Sequence, residues 1–178
     1  MLNENTDFNI RIKDNFFSKE NFNYIKNVSK NIKFGPINLT YNNGNSKDHV
    51  FFTTDAPQKV RNILNKEISN FFKVKNLNIN TCQYSLVAKS DKTQVHDHPE
   101  KIDLSCIIYI DGDENIHCGT GFYVKKDDNT FELNTHVGFK PNRIVSWESN
   151  VWHAPLSFTD SYKKRISLIT QYKIANVK

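Results

Sequence analysis

The chain has 178 residues, 38% of them hydrophobic and 12% aromatic, with a mean hydropathy of -0.61 and a net charge of +5. That length suits one domain whose core needs no disulfide staples, and no apolar run approaches a membrane span. The three cysteines, Cys82, Cys106 and Cys118, are odd in number and form no CxxC pair, which argues against a disulfide framework and a zinc ribbon.

In chain order, FNIRIK (8–13) alternates and predicts a first strand. Ser18 is a plausible N-cap for a helix opened by Asn21, Phe22 and Ile25. Residues 33–55 are turn-rich and carry Asn43-Gly44, a hairpin signal. Val60, Leu64, Ile68 and Phe71-Phe72 then recur at helical spacing, with Pro57 in the first turn of a second helix. From Leu77 the pattern changes to seven short strand-like runs separated by Gly, Pro, Asn and Asp. They are LNINTCQYSLVAK, KIDLSCIIYID, GTGFYVKK, TFELNTHVGF, RIVSWES, NVWHAPLSF and RISLITQYKI. The expected architecture is mainly β with N-terminal helices, as a sandwich, barrel or jelly roll. With no repeat and no low-complexity linker, residues 1–178 read as one domain. Its first part (1–76) holds a strand and two helices that pack on a β core (77–178).

The lysines are spread along the sequence, so the positive balance reads as a solvated surface and nucleic acid is not an expected partner. The scattered cysteines and the lack of a signal-peptide pattern lead to the expectation of a cytoplasmic protein with no membrane association.

The polar residues with chemistry lie in the β region. QVHDHPE (94–100) places His96 and His98 at i and i+2. On a strand these share one face, and Asp97 takes the other. Taken alone, such a pair is more often a surface or hydrogen-bonded pair than a metal site. His153 lies near the end of a strand in FKPNRIVSWESNVWHAPLSF, and Arg165 opens the last strand, with Ser167 on the same face. A guanidinium fork with a hydroxyl beside it suits a carboxylate. The plainer alternatives are a core histidine beside Trp152 and an ordinary arginine in a run with Lys163 and Lys164. Trp147 and Trp152 read as core aromatics, Cys106 and Cys118 as buried small residues, and His49 as a thinly supported residue of a substrate entrance.

The order of these features carries a resemblance that covers nearly the whole chain. A His-x-acid-like turn after a strand is followed by GTGFY, PNRIV…WHAP and a final RIS. With the entry segment IRIKDNFFSKENFNYIKN, this resembles the iron(II)/2-oxoglutarate-dependent dioxygenases, in their prolyl-hydroxylase-like branch. The resemblance implies a double-stranded β-helix (jelly roll, cupin-like) and a hydroxylase that uses iron(II), 2-oxoglutarate and molecular oxygen on an aliphatic C–H. The substrate would be a small molecule or a prolyl or other residue of a peptide or protein. It places the metal on His96, His98 and His153, and the cosubstrate's far carboxylate on Arg165 and Ser167. It also sets Tyr84 beside the cosubstrate; its plain alternative is a core position.

The departure is at His98, where the family has Asp. Three readings stay open: a three-histidine metal site, a shifted turn in which Asp97 or Glu100 ligates, and loss of the metal. The rival functions are a cupin-type metalloenzyme that makes no use of 2-oxoglutarate and a non-enzymatic binding module on the same fold, with a nucleic-acid substrate a further alternative on the net charge of +5.

Overall fold

The structure is a computed structural model that describes residues 9–36, 51–74, 77–87, 95–98, 102–156 and 165–174. The Asn43-Gly44 turn, His49 and Glu100 lie outside the described residues. The elements are β1 (Arg11–Lys13), α1 (Lys19–Asn31), β2 (Gly35–Pro36), β3 (Phe51–Asp55), α2 (Gln58–Phe72), β4 (Leu77–Val87) and β5 (Leu104–Asp111). They continue with β6 (Asn115–Lys125), β7 (Phe131–Phe139), β8 (Ile144–Glu148), β9 (Trp152–Pro155) and β10 (Arg165–Ile174). β2 and β3 come from the turn-rich segment and pair antiparallel on either side of the Asn43-Gly44 hairpin signal in the sequence.

A seven-stranded sheet runs β1-β8-β5-β10-β4-β3-β2, and a three-stranded sheet runs β7-β6-β9. Every pairing is antiparallel. The two sheets face each other as a jelly roll, the double-stranded β-helix expected. The helices cover the far side of the large sheet, so the molecule has three layers and two apolar cores.

Helix α1 starts where predicted, with the Ser18 hydroxyl accepting from Asn21 N at 3.2 Å. Helix α2 begins after Pro57 and projects Val60, Leu64 and Ile68 inward, all fully buried. Each such side chain stabilises the fold by roughly 1.5–3 kcal/mol through the area it removes from water. They meet Ile25, Phe16 and Phe17 from the N-terminal segment, and Cys82, Tyr84, Ile108, Ile110, Ile166, Leu168 and Tyr172 from the sheet. The other core lies between the sheets and contains Val87, Tyr109, Cys118, Phe122, Val137, Phe139, Val145 and Trp147. The two lists alternate along each strand because successive side chains point to opposite faces.

The PNR turn locks the N-terminal segment onto this frame. Asn142 takes a left-handed φ of 63°, a conformation Asn tolerates better than most residues. Its side-chain oxygen accepts from Phe17 N at 2.9 Å, and its amide donates to Phe17 O at 3.0 Å. Next to it, Arg143 forms a two-pronged pair with Asp14 at 2.6 and 3.0 Å. Among the described residues no helix is long and apolar enough to cross a membrane.

Candidate functional site

His96 and His153 are joined through their backbones. His96 N donates to His153 O at 3.0 Å, and His153 N donates to His96 O at 2.9 Å. This two-bond pair sets the side chains side by side. His98 is fixed two residues on, where its N–H donates to Ser149 O at 2.8 Å. The ring centroids lie 4.4 Å (His96–His153), 4.9 Å (His96–His98) and 5.4 Å (His98–His153) apart. One nitrogen from each ring falls within 4.8 Å of the others, close enough for one ion to meet all three.

The second contacts of His153 leave one ring nitrogen able to bind a metal. Its Nδ1 lies 2.8 Å from Val151 O, which only an Nδ1–H can donate to, so Nε2 carries the free lone pair. Burial, reinforced by His96, holds its pKa down at about 3. Burial likewise lowers that of His98. Both rings are therefore neutral near pH 7, the form that binds a metal. The indole of Trp147 packs at 4.7 Å from His153, and Phe122, opposite His153 on β6, meets Trp147 edge-on at 5.3 Å. These two rings close the inner side of the cluster to water. Asp97, between His96 and His98, is not in the group, and no carboxylate among the described residues joins it.

A second polar cluster lies deeper between the sheets. Arg165 is 4% exposed and Ser167 2%. Arg165 Nη1 donates to Gly119 O at 3.0 Å, and its guanidinium carbon sits 5.7 Å from the Phe139 ring centre. Burial depresses the pKa of this arginine from its ordinary value. The Ser167 hydroxyl is buried without a hydrogen-bond partner among the described residues. A buried polar atom left so costs about 1–3 kcal/mol, which favours a ligand that meets it.

Strand β6 ties the two clusters together. Gly119 accepts from Arg165 and also from Leu156 N at 3.0 Å, while Phe122 stands opposite His153. Three residues of strand separate these points, about 10 Å.

Tyr84 is not where the resemblance puts it. Its hydroxyl donates to Ile25 O at 3.0 Å, and its ring is fully buried in the core under the helices. Opposite Leu168 rather than Ser167, it points to the far face of the sheet from Arg165. The tyrosine near Arg165 is Tyr109, which pairs with Ser167 across β5 and β10. Its hydroxyl lies 2.9 Å from Thr120 Oγ1 and donates to Val137 O at 3.3 Å. Tyr109, Thr120 and Ser85, which faces Ser167 from β4, line this cluster and were not singled out from the sequence.

No protein-family model matches the sequence, and no curated protein matches it. Solved structures do match in fold. A prolyl hydroxylase from Trichoplax adhaerens, in complex with a hypoxia inducible factor oxygen degradation domain peptide fragment, superposes with a TM-score of 0.65 at 13% identity. The match covers 94% of this chain and 84% of that one. HygX from Streptomyces hygroscopicus, with nickel and 2-oxoglutarate bound, gives 0.66 at 9% identity over 95% and 84% of the two chains. An oxidoreductase of the 2OG-Fe(II) oxygenase family from Burkholderia pseudomallei gives 0.65 at 14% identity over 94% and 86%.

Proposed function

We propose that this chain, which has the fold of the prolyl hydroxylases and other 2OG-Fe(II) oxygenases, is itself an iron(II)- and 2-oxoglutarate-dependent oxygenase that hydroxylates an aliphatic C–H. The carrying observation is that three convergent histidines and a buried arginine, beside a serine hydroxyl with no partner among the described residues, share one interior and are held at points about 10 Å apart along β6.

The residues fit the group. His96, His98 and His153 would hold the iron, a metal for which imidazole is a competent ligand. Arg165 would hold the far carboxylate of the cosubstrate, which a five-carbon dicarboxylate bound to the metal by its other end can reach. Ser167 would give that carboxylate its otherwise unmatched hydroxyl donor. When bound, iron, 2-oxoglutarate and oxygen supply the oxidising power that places a hydroxyl on carbon, with the cosubstrate leaving as succinate and carbon dioxide. The protein orients and encloses. Val151 O fixes the His153 tautomer, and Trp147 and Phe122 keep water from the inner side. A prolyl or other residue of a peptide is the substrate class we favour, by analogy with the peptide-bound hydroxylase of the same fold.

A second reading rests on His98. Three neutral imidazoles leave the metal one unit more positive than two histidines and a carboxylate do. In a cupin-type enzyme with no use for 2-oxoglutarate, Arg165 would bind the substrate instead.

The test is anaerobic titration with iron(II), with and without 2-oxoglutarate, followed by the visible metal-to-ligand charge-transfer band. The oxygenase reading expects a band that His153→Ala abolishes, His98→Ala weakens or abolishes, and Asp97→Asn leaves in place. Arg165→Met should weaken 2-oxoglutarate by roughly 10- to 100-fold, the loss of one or two charge-assisted hydrogen bonds. Iron binding without a band would favour the second reading. No iron binding would overturn both and leave a binding module.

A further inference from the structure

The cations, scattered in sequence, are gathered in space. Residues 9–36 and 51–74, which form α1, α2 and the strands beside them, hold ten Lys and Arg against four Asp and Glu, a net +6. The whole chain carries +5, so the remainder is -1. Lys59, Lys66 and Lys73 are all exposed and recur every seven residues. They form one ridge along α2, with steps of about 10 Å. Asn62 and Asn70 are also exposed along that helix. Helix α1 exposes Lys19, Asn23, Asn27 and Lys30, and Lys33 follows it. The helices lie side by side, with Lys59 Nζ 4.3 Å from the Tyr24 ring centre. Lys26 and Arg61 are paired with Asp111 and Asp55. Lys19, Lys30, Lys66 and Lys73 pair with no carboxylate among the described residues.

We propose that this helical face docks onto the phosphate backbone of duplex nucleic acid, independently of base sequence. Duplex DNA carries about one negative charge per 1.7 Å of axis, so a row of cations about 20 Å long faces a dense array of phosphates. Lysine and asparagine side chains are donors that phosphate and sugar contacts use. Other polyanionic partners fit the face less well. The large apolar residues that are exposed among the described residues are Ile12, Ile116 and Leu133, none on either helix. An acidic protein would lack the apolar centre of an ordinary interface, and a membrane would lack an inserting side chain. No exposed aromatic side chain stands on these helices for a single strand's bases to stack on. The face lies across the large sheet from the three histidines, so docking leaves the site open. An enzyme so placed would act on something held on, or next to, nucleic acid.

The test is fluorescence anisotropy of the full chain with a labelled 20-base-pair duplex between 50 and 200 mM salt. A Lys19→Gln, Lys30→Gln, Lys66→Gln, Lys73→Asn variant should lose at least about 10-fold in affinity at 100 mM salt. It should also flatten the log-log salt slope by up to about 3.6, at about 0.9 per phosphate contact. A control, Lys125→Gln with Lys126→Gln on the small sheet, should stay within about two-fold of the parent. Circular dichroism of each variant checks the fold, in the control because Lys126 pairs with Glu132 and Lys125 lies over Trp152. Three results would each overturn the proposal: no duplex binding by the parent at 50 mM salt, equal losses in variant and control, or tighter binding of polyglutamate or phosphatidylserine vesicles at matched salt.

Discussion

Replacing Gly119 by alanine should disable both halves of the site through the backbone. A Cβ built there would stand 1.9 Å from Val137 O and 2.9 Å from Val137 C, on the paired strand β7. These are backbone atoms of a hydrogen-bonded neighbour, so no side chain can swing aside. The residue also has φ +156°, which side-chain-bearing residues rarely adopt. Overpacking of this kind costs about 1–3 kcal/mol, and the unfavourable conformation adds about 1–2. We expect a loss of about 2–5 kcal/mol, a large share of the 5–15 kcal/mol that holds a typical domain together. Gly119 O accepts from both Arg165 and Leu156, so relief of the clash must displace Arg165 relative to β9 and His153. Urea unfolding of Gly119→Ala should therefore show a lower midpoint at similar slope, with weakened 2-oxoglutarate binding in whatever folds. Gly35→Ala is the control, because its Cβ would meet only Thr53 O at 3.9 Å, and it should change stability by less than about 1 kcal/mol. If Gly119→Ala lost less than about 1 kcal/mol, the tight approach of β6 to β7 would not be real.

Asn142→Ala should cost about 2–4 kcal/mol in chemical denaturation, because two buried hydrogen bonds to Phe17 go and the left-handed backbone remains. Asn142→Gly should recover the backbone part alone and fall between the two proteins. Leu64→Ala, at a fully buried position under the large sheet, should cost about 2–5 kcal/mol and leave metal binding intact once the protein is folded. Asp14 is the acid-sensitive latch. Hydrogen bonds from Arg143 first, and from Lys140, hold its pKa near 2, below the ordinary 3.8. Its stabilisation is present above about pH 4 and is lost as pH falls toward 2, because the unfolded chain takes up the proton first. With the side chain 37% exposed, solvent screening trims the effect to about 1 kcal/mol. Asp14→Asn should remove that step from a stability-against-pH curve between 4 and 2.

Features set by one-dimensional rules could be read from the sequence. The Ser18 cap, the Val60-Leu64-Ile68 stripe and the alternating runs after Leu77 each follow from a local period, and each has its element in the structure. Strands β2 and β3 could be read so only in part. They stand inside a stretch rich in Asn and Gly, and β3 is a strand because its backbone pairs along β4 from Val87 to Gln83. That pairing with β4 is a tertiary fact, whereas the Asn43-Gly44 signal and the β-favouring Phe51-Phe52-Thr53-Thr54 run give local hints of a β2–β3 pair. The clustering of lysines failed for a related reason. A count by segment shows the asymmetry, +5 over residues 1–76 and 0 over 77–178, but only folding collects two amphipathic helices on one side and points their polar faces the same way.

The tyrosines show how much of a site depends on strand parity. Tyr84 and Tyr109 are both fully buried tyrosines on strands that flank β10. Nothing within their own strands says which one meets Arg165. The answer lies in the register with β10, where Ser167 stands between Ser85 and Tyr109, and Leu168 between Tyr84 and Ile108. A shift of one residue exchanges the faces. The reference that fixes the parity is the Arg165-x-Ser167 pair itself, whose polar side chains would face the cosubstrate under the proposed function. Cross-strand partners of Ser167 therefore belong to the Arg165 cluster, and cross-strand partners of Leu168 to the core under the helices. By that rule Ser85 and Tyr109 join Arg165 and Ser167, and Tyr84 does not. Tyr109→Phe should accordingly weaken 2-oxoglutarate more than an equal truncation at Tyr84 does. A Tyr84→Phe variant should lose only the bond to Ile25 O, about 1 kcal/mol of stability. If the charge-transfer titration instead found 2-oxoglutarate affinity lowered by Tyr84→Phe and untouched by Tyr109→Phe, the placement of the carboxylate on this face of β10 would be wrong.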